Sequence, residues 1–182
     1  PWIIRVSAKV GAVDVPSARR VNQHTIPRLG GVGIALGFYT ALSVLLLAGL
    51  LEAKSSHLLA IVAGGIGIVV VGIRDDTKGV RALHKLYTQI GVAAFAYFSG
   101  FQINAVSLPY IGVLEMGSFG FPLTVCWIVG IINAINLIDG LDGLSGGLAL
   151  VACAVGIVIA IVSGNSLLGA VSMALAGSLL GF

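Results

Sequence analysis

The chain has 182 residues, 58% of them hydrophobic and 9% charged, with a mean hydropathy of +1.08 and a net charge of +3. A soluble domain carries about 25% charged residues, so the composition excludes a soluble globular protein. It predicts an all-α, polytopic integral membrane protein in the lipid bilayer, with no nucleic-acid partner. The net charge says little by itself, because where basic residues fall matters more than their total.

Residues 1–28 hold Arg5, Lys9, Arg19, Arg20 and Arg28. Apolar runs of about the 20 residues that span a bilayer follow at 29–51, 58–73, 86–103, 119–138 and 144–163, and a sixth begins near 167. The expectation is about six transmembrane helices in one membrane-embedded domain, 1–182. The 58–73 run is short and needs its flanks to span. Residues 74–85 carry Arg74, Lys78, Arg81 and Lys85, so the two basic segments contain nine of the ten Lys and Arg residues, and only Lys54 lies elsewhere. The positive-inside rule places both segments in the cytoplasm. Counting spans then puts 52–57, 104–118 and 164–166 outside and 139–143 inside. The 104–118 segment reads as a connection with Tyr110 at interface depth. Cys126 and Cys153 each sit inside an apolar run with no disulfide or metal spacing. Because the chain opens Pro1-Trp-Ile-Ile and stops at Gly181-Phe182 within an apolar run, it is expected to be a piece of a longer protein, cut at both ends.

Four of the seven acidic residues fall at span ends on the inferred cytoplasmic face. These are Asp75-Asp76 and the aspartates of Asn136-Leu-Ile-Asp139-Gly140-Leu-Asp142-Gly143. Carboxylates at the end of a membrane-length helix are expensive and therefore functional candidates. Asp75 and Asp76 can hold a divalent cation, since Mg2+ takes one or two carboxylates plus substrate phosphates. Alternatively, one of them accepts a proton from an attacking phosphate or hydroxyl. The plain alternative is a solvated pair neutralised by Arg74 and Lys78.

Arg81, His84 and Lys85 follow at helical spacings from Lys78. Lys85, one turn deeper than Arg81, reads as a phosphate contact; for Arg81 and His84 membrane anchoring suffices. Asn133, Asn136 and Asp139 recur every three residues and share a face if the helix persists. Gly140 and Gly143 predict a break that turns Asp142 into the same cavity. An acceptor-rich stripe of this kind suits a metal, or the edge of a base or sugar. Polar glue between helices is the alternative, plausible for Asn133 and poor for two aspartates. In Pro27-Arg28-Leu-Gly30-Gly31, a glycine-rich helix start offers free N–H groups to a phosphate, although such a sequence is also ordinary loop chemistry.

Taken in order, these motifs resemble the polyprenyl-phosphate N-acetylhexosamine-1-phosphate transferase family, glycosyltransferase family 4. The resemblance runs from about Arg5 to Phe182. It is carried by Asp14-Val-Pro16-Ser-Ala-Arg19, Pro27-Arg28-Leu-Gly30-Gly31, Gly72-Ile-Arg74-Asp75-Asp76, Lys85 with Gln89, and Asn133-Ala-Ile-Asn136-Leu-Ile-Asp139-Gly-Leu-Asp142-Gly-Leu. The last element is highly specific. The Arg19 and Pro27-Arg28 pattern looks more like the undecaprenyl-phosphate GlcNAc-1-phosphate branch than the peptidoglycan enzyme, and Asp-Gly-Leu-Asp-Gly looks prokaryotic.

The resemblance implies an enzyme of the bacterial cytoplasmic membrane with its active site facing the cytoplasm. It would transfer an N-acetylhexosamine-1-phosphate from a UDP-amino sugar to undecaprenyl phosphate, releasing UMP and starting a cell-envelope glycan such as a lipopolysaccharide or a teichoic acid linkage unit. It implies Mg2+ as cofactor, with Mn2+ as an alternative, and a second copy of the chain as a candidate partner in a homodimer. Carried over by position, Asp75 and Asp76 act on the lipid phosphate or support the metal, and Asp139 is a metal ligand. Lys85, Asn133, Asn136, Asp142, Arg28, Gly30 and Gly31 contact substrate. Two departures stand out. Asn22 occupies a position where the family usually has His, with His24 two residues later. The family's Gly-Asp metal motif and His-rich loop would lie beyond Phe182, so 1–182 alone is expected to show little or no catalysis. The competing expectations are a catalytically incomplete remnant that binds lipid or a partner, and an ion-coupled transporter. Against the transporter, the carboxylates sit at one face and not at mid-membrane.

Overall fold

A computed structural model of the chain describes residues 13–14, 26–27, 30–51, 54–110, 112–139 and 144–181. After a short antiparallel pair, β1 (Val13–Asp14) with β2 (Ile26–Pro27), the described elements are almost entirely helical. α1 is Gly30–Leu47. α2 (Ser55–Leu59) runs through a π-helical turn, Ala60–Gly64, into α3 (Gly65–Lys78). α4 is Ala82–Phe98. A hairpin of β3 (Ala105–Leu108) and β4 (Gly112–Glu115) leads to α5 (Gly120–Ile138), and α6 (Leu144–Ser163) and α7 (Ser166–Leu180) complete the order.

Each predicted span therefore overlaps a helix, although the one expected at 86–103 is Ala82–Phe98 and stops before Gly100 (φ 112°). Among the described residues, four helices are long and apolar enough to cross a membrane: Gly30–Leu47, Ser56–Lys78, Gly117–Ile138 and Leu144–Ser163. α4, with 17 residues, and α7, with 15, are shorter, roughly 25 and 22 Å at 1.5 Å per residue. Among the described residues, four of the expected six spans are thus met by length and composition. The second span shows the opposite correction. It extends from 58–73 to Ser56–Lys78, because hydropathy falls at Arg74 while nothing breaks the backbone until Gly79. The basic loop 74–85 shrinks to the turn Gly79–Arg81, and Asp75 and Asp76 lie in the last turn of α3.

The chain divides into two units. In the described parts of Pro1–Glu52, Val69–Val80 and Gly146–Phe182, α1 packs on α7. Ser178 Oγ donates to the carbonyl of Ile34 at 2.5 Å. A Cβ placed on Gly37 would lie 2.5 Å from the same hydroxyl oxygen. α7 meets α6 in the same manner, Ser172 against Gly156 and Gly169 against Ala160. Small residues let membrane helices approach closely, where dispersion and interhelical hydrogen bonds replace the hydrophobic effect.

In the unit Ala53–Ile68 with Arg81–Ser145, α4 packs against α5 and against the π turn. Cβ positions on Gly64 and Gly67 would lie 3.2 and 3.4 Å from the Val92 methyls. Thr124, 2% exposed, accepts the N–H of Ile103 at 3.0 Å and donates to the Gly120 carbonyl at 2.7 Å, fixing the start of α5 to the segment after α4. The 104–118 connection is a hairpin, with Tyr110 at its turn in the left-handed region (φ 69°). Its open edges leave backbone groups that hydrocarbon would not satisfy, so it belongs to the interface or beyond. What is buried in both units is mainly small, including Ala60, Ala93, Cys153, Ala160, Ala170 and Ala174, whereas Leu47, Ile161 and Val162 are highly exposed. This inversion of the soluble pattern is expected where lipid chains cover the outer surface.

Candidate active site

The carboxylates occupy two helix C-termini. α1, α4 and α6 each end on a glycine with positive φ, and the residue after that glycine donates its N–H five residues back to a backbone carbonyl: Leu50 to Leu45, Phe101 to Ala96, Asn165 to Ala160. This is the usual way to satisfy orphan carbonyls at a helix end. α3 follows the same path with Gly79 (φ 70°), whose N–H bonds the Asp75 carbonyl at 3.0 Å. Here, however, Val80 donates to the side chain of Asp75, N to Oδ1 3.1 Å. Asp75 is thus a C-terminal cap as well as a carboxylate. Asp75 and Asp76 are half-buried, and Arg74 and Lys78 beside them are exposed.

Asp139 is the C-cap of α5, with φ −67° and ψ 5°. Its Oδ1 accepts a hydrogen bond from Ser145 Oγ at 2.5 Å, across the Gly140–Gly143 segment. Ser145 lies in the first turn of α6 and carries no motif signal; only its six-residue offset from Asp139 could have hinted at the pairing. Both helix termini place carboxylates at the negative end of a helix macrodipole. That combination disfavours isolated anions and suits a cation, and oxygen donors of this type are what Mg2+ takes. The donor chemistry of Asp75, Asp76 and Asp139 therefore fits a hard divalent ion. Among the described residues no group of three His, Cys, Asp or Glu side chains is gathered closely enough to hold one by itself.

The α5 stripe does not stay on one face. Three residues advance a helix by about 300°, so each step from Asn133 to Asn136 to Asp139 turns roughly 60°. Asn133 is half-buried and faces α4, its Nδ2 donating to Gln89 Oε1 at 2.7 Å and to the Val129 carbonyl at 2.8 Å. Asn136 and Asp139 are exposed. Gln89 is 3% exposed; in the sequence it is part of the motif with Lys85 and carries no role of its own. Lys85 is half-buried in the first turn of α4, after Arg81 as N-cap. Gly30 and Gly31 open α1, and a Cβ on Gly31 would meet nothing within 4 Å. Arg28 and Asp142, with Arg19, Asn22 and His24, lie outside the described residues. An apolar cavity of about 520 Å³, lined by Ala60, Gly64, Val92, Phe101, Thr124 and Trp127 among others, lies toward the start of α5 and away from its carboxylate end.

Comparison with known proteins gives a concordant result. The chain is 39% identical over its whole length to a probable undecaprenyl-phosphate N-acetylglucosaminyl 1-phosphate transferase of Bacillus subtilis (strain 168), covering 50% of that protein. It is 33% identical, again over its whole length, to a decaprenyl-phosphate N-acetylglucosaminephosphotransferase of Mycolicibacterium smegmatis, covering 48% of it. Over 82% of the chain it is 30% identical to an undecaprenyl-phosphate alpha-N-acetylglucosaminyl 1-phosphate transferase of Salmonella typhi, covering 40% of that protein. The chain thus spans about half the length of the curated relatives it matches. Residues 58–182, which include the carboxylates of both helix ends, match the family model described as glycosyl transferase family 4, and the chain belongs to that family.

Proposed function

We propose that the protein to which this chain belongs transfers N-acetylglucosamine-1-phosphate, or a close N-acetylhexosamine analogue, from its UDP-sugar to a polyprenyl phosphate. An oxygen of the lipid phosphate forms a bond to the β-phosphorus of the UDP-sugar. The bond from that phosphorus to the oxygen bridging to the α-phosphorus breaks, and UMP leaves with that oxygen. The observation that carries the reading is the pairing of carboxylates at the ends of α3 and α5 with similarity, along the whole chain, to proteins named for this transfer.

Asp76, or Asp75 beside it, accepts the proton of the lipid phosphate, and positioned acid–base groups contribute roughly 10²–10⁴-fold to such steps. Lys85 supplies positive charge to phosphate as a point charge. Asn136 and Asp142 hold the nucleotide-sugar. Asp139, oriented by Ser145, would be a ligand for Mg2+, as would the Asp75 and Asp76 carboxylates, and the ion would offset charge on the diphosphate. The chain's place is the bacterial cytoplasmic membrane with the carboxylate ends inward. The crowding of Arg74, Lys78, Arg81 and Lys85 at one end of the second span, against Lys54 alone at the other, supports that orientation.

The test is UMP release by the complete protein with Mg2+, undecaprenyl phosphate and a panel of UDP-amino sugars, beside Asp76→Asn and Asp139→Asn. Release that needs both lipid and Mg2+ and collapses in the variants establishes the transferase and names its sugar. No release from well-folded protein with any donor would replace the transferase by a lipid- or partner-binding role.

A further inference from the structure

We infer that Gln89 is a positioning residue: its bond to Asn133 sets the register of α4 against α5 so that Lys85 and Asn136 stand level at the site. α4 and α5 run antiparallel, because Tyr97 meets Phe121 (ring centroids 5.1 Å apart) near one end and Gln89 meets Asn133 further along, sequence falling on α4 as it rises on α5. From the Gln89–Asn133 bond, Lys85 lies four residues back, about 6 Å along α4, and Asn136 three residues on, about 4.5 Å along α5. Both displacements point toward the carboxylate end of α5, so one part-buried hydrogen bond fixes the relative height of a cation and an amide from two helices.

At the far end of α5 the Thr124 hydroxyl ties the helix start to Ile103, after α4; among the described residues Gln89–Asn133 is a side-chain hydrogen bond between the two helices nearer the carboxylate end. Among the described residues the ring contacts between the two helices are those of Tyr97 and Phe98 with Phe121, which are less directional than a hydrogen bond. Displacing this pair of amides is penalised, because the buried Gln89 amide would lose this partner in hydrocarbon while Asn133 kept only the Val129 carbonyl of its own helix. The pair therefore acts as a stop. It assigns the amide of Asn133 to the neighbouring helix, and leaves ligand contact on α5 to Asn136 and Asp139, which turn away from α4. The kinetic part of this inference rests on the transferase reading; the register part does not.

The test uses the complete protein in two assays. In the first, kinetics of UMP release are compared for wild type, Gln89→Met, and the swapped pair Gln89→Asn with Asn133→Gln, normalised to monodisperse protein. Gln89→Met keeps length and removes the acceptor, and should lower kcat/KM for the UDP-sugar by roughly tenfold to a hundredfold, the range expected of a misplacement near 1 Å. The swapped pair keeps the combined reach and should recover most of that loss, whereas Gln89→Asn alone should not. In the second, spin labels at Lys85→Cys and Asn136→Cys, with Cys126, Cys153 and every other cysteine of the complete protein replaced by Ala, report the distance directly. It should be narrowly distributed with Gln89 and broad or shifted with Gln89→Met. An unchanged distance distribution and unchanged kinetics in Gln89→Met would overturn the inference. A wild type without UMP release but with a distance distribution that depends on Gln89 would remove the transferase reading and keep the register.

Discussion

Val80 gives its backbone N–H to the carboxylate of Asp75, 3.1 Å away, where the equivalent donors after α1, α4 and α6 reach a backbone carbonyl. The chain has thus made one acidic residue part of the helix terminus and has tied its Oδ1 to the turn that leads into α4. A carboxylate held in this way has lost much of its rotamer freedom before any substrate arrives, which is the kind of preorganisation that charge chemistry at a phosphate requires.

This double role separates two substitutions that look alike on paper. Asp75→Asn retains an acceptor for Val80 and removes the charge, so thermal stability should change little. If Asp75 is the group that takes the lipid-phosphate proton, UMP release should fall by about 10²-fold or more; if Asp76 takes it, the fall should be smaller and should follow the metal requirement. Asp75→Ala also strips the half-buried Val80 N–H of its partner, at a cost of about 1 kcal/mol or more, or roughly 2–4 °C in melting temperature for a chain of this size. Equal melting temperatures for the two variants would mean that the cap contributes nothing.

Metal dependence has its own signature at α5. Chelation with EDTA should abolish UMP release and Mg2+ should restore it. Ser145→Ala removes the hydroxyl that orients Asp139 and should raise the Mg2+ concentration for half-maximal rate by about 10–100-fold, the usual effect of removing a group that supports a ligand. Asp139→Asn should raise it further. A Ser145→Ala protein with an unaltered Mg2+ titration would take Asp139 out of the ligand set.

How much of this could be read beforehand depends on the length scale of each interaction. Helix positions were legible because apolar runs of bilayer length leave the backbone no other satisfied conformation. The end of the second span was misplaced because hydropathy drops at Arg74, whereas the helix continues until Gly79 takes a positive φ; the glycine, and not the charge, is the stop. From sequence the hairpin of residues 105–115 reads as a plain connection, since four-residue strands carry too few side chains to show alternation. The carboxylates at the helix ends stood out by cost alone. Their partners did not. Gln89 and Asn133 are 44 positions apart, and Ser145 is one serine among many until its hydroxyl is seen to donate to Asp139.

Orientation can be read in cells. With Cys126, Cys153 and every other cysteine of the complete protein replaced by Ala, Lys54→Cys and Lys78→Cys place single thiols at exposed positions toward opposite ends of the second span. A membrane-impermeant maleimide should label Lys54→Cys in intact cells and Lys78→Cys only after permeabilisation, as the positive-inside rule demands. The reverse pattern would put the carboxylates on the outer face, away from any cytoplasmic nucleotide-sugar, and would remove the transferase reading.

The start of α5 offers a control that should touch stability and leave chemistry alone. Thr124 is 2% exposed, and its hydroxyl serves two backbone groups at once, accepting from Ile103 and donating to Gly120. Thr124→Val conserves shape and removes both bonds. The carbonyl of Gly120 keeps its place in the helix, but the N–H of Ile103 is left without this acceptor, at about 1–3 kcal/mol. Thr124→Ser keeps the hydroxyl and loses one methyl, costing about 1 kcal/mol. The Val variant should therefore melt below both wild type and the Ser variant. Thr124 sits 15 residues before Asp139 on the same helix, roughly 22 Å along the axis, so the KM for UDP-sugar and the Mg2+ titration should be unchanged in whatever protein remains folded. A kinetic change in Thr124→Val, with the Ser variant normal, would mean instead that strain at this end of α5 is transmitted to Asn136 and Asp139.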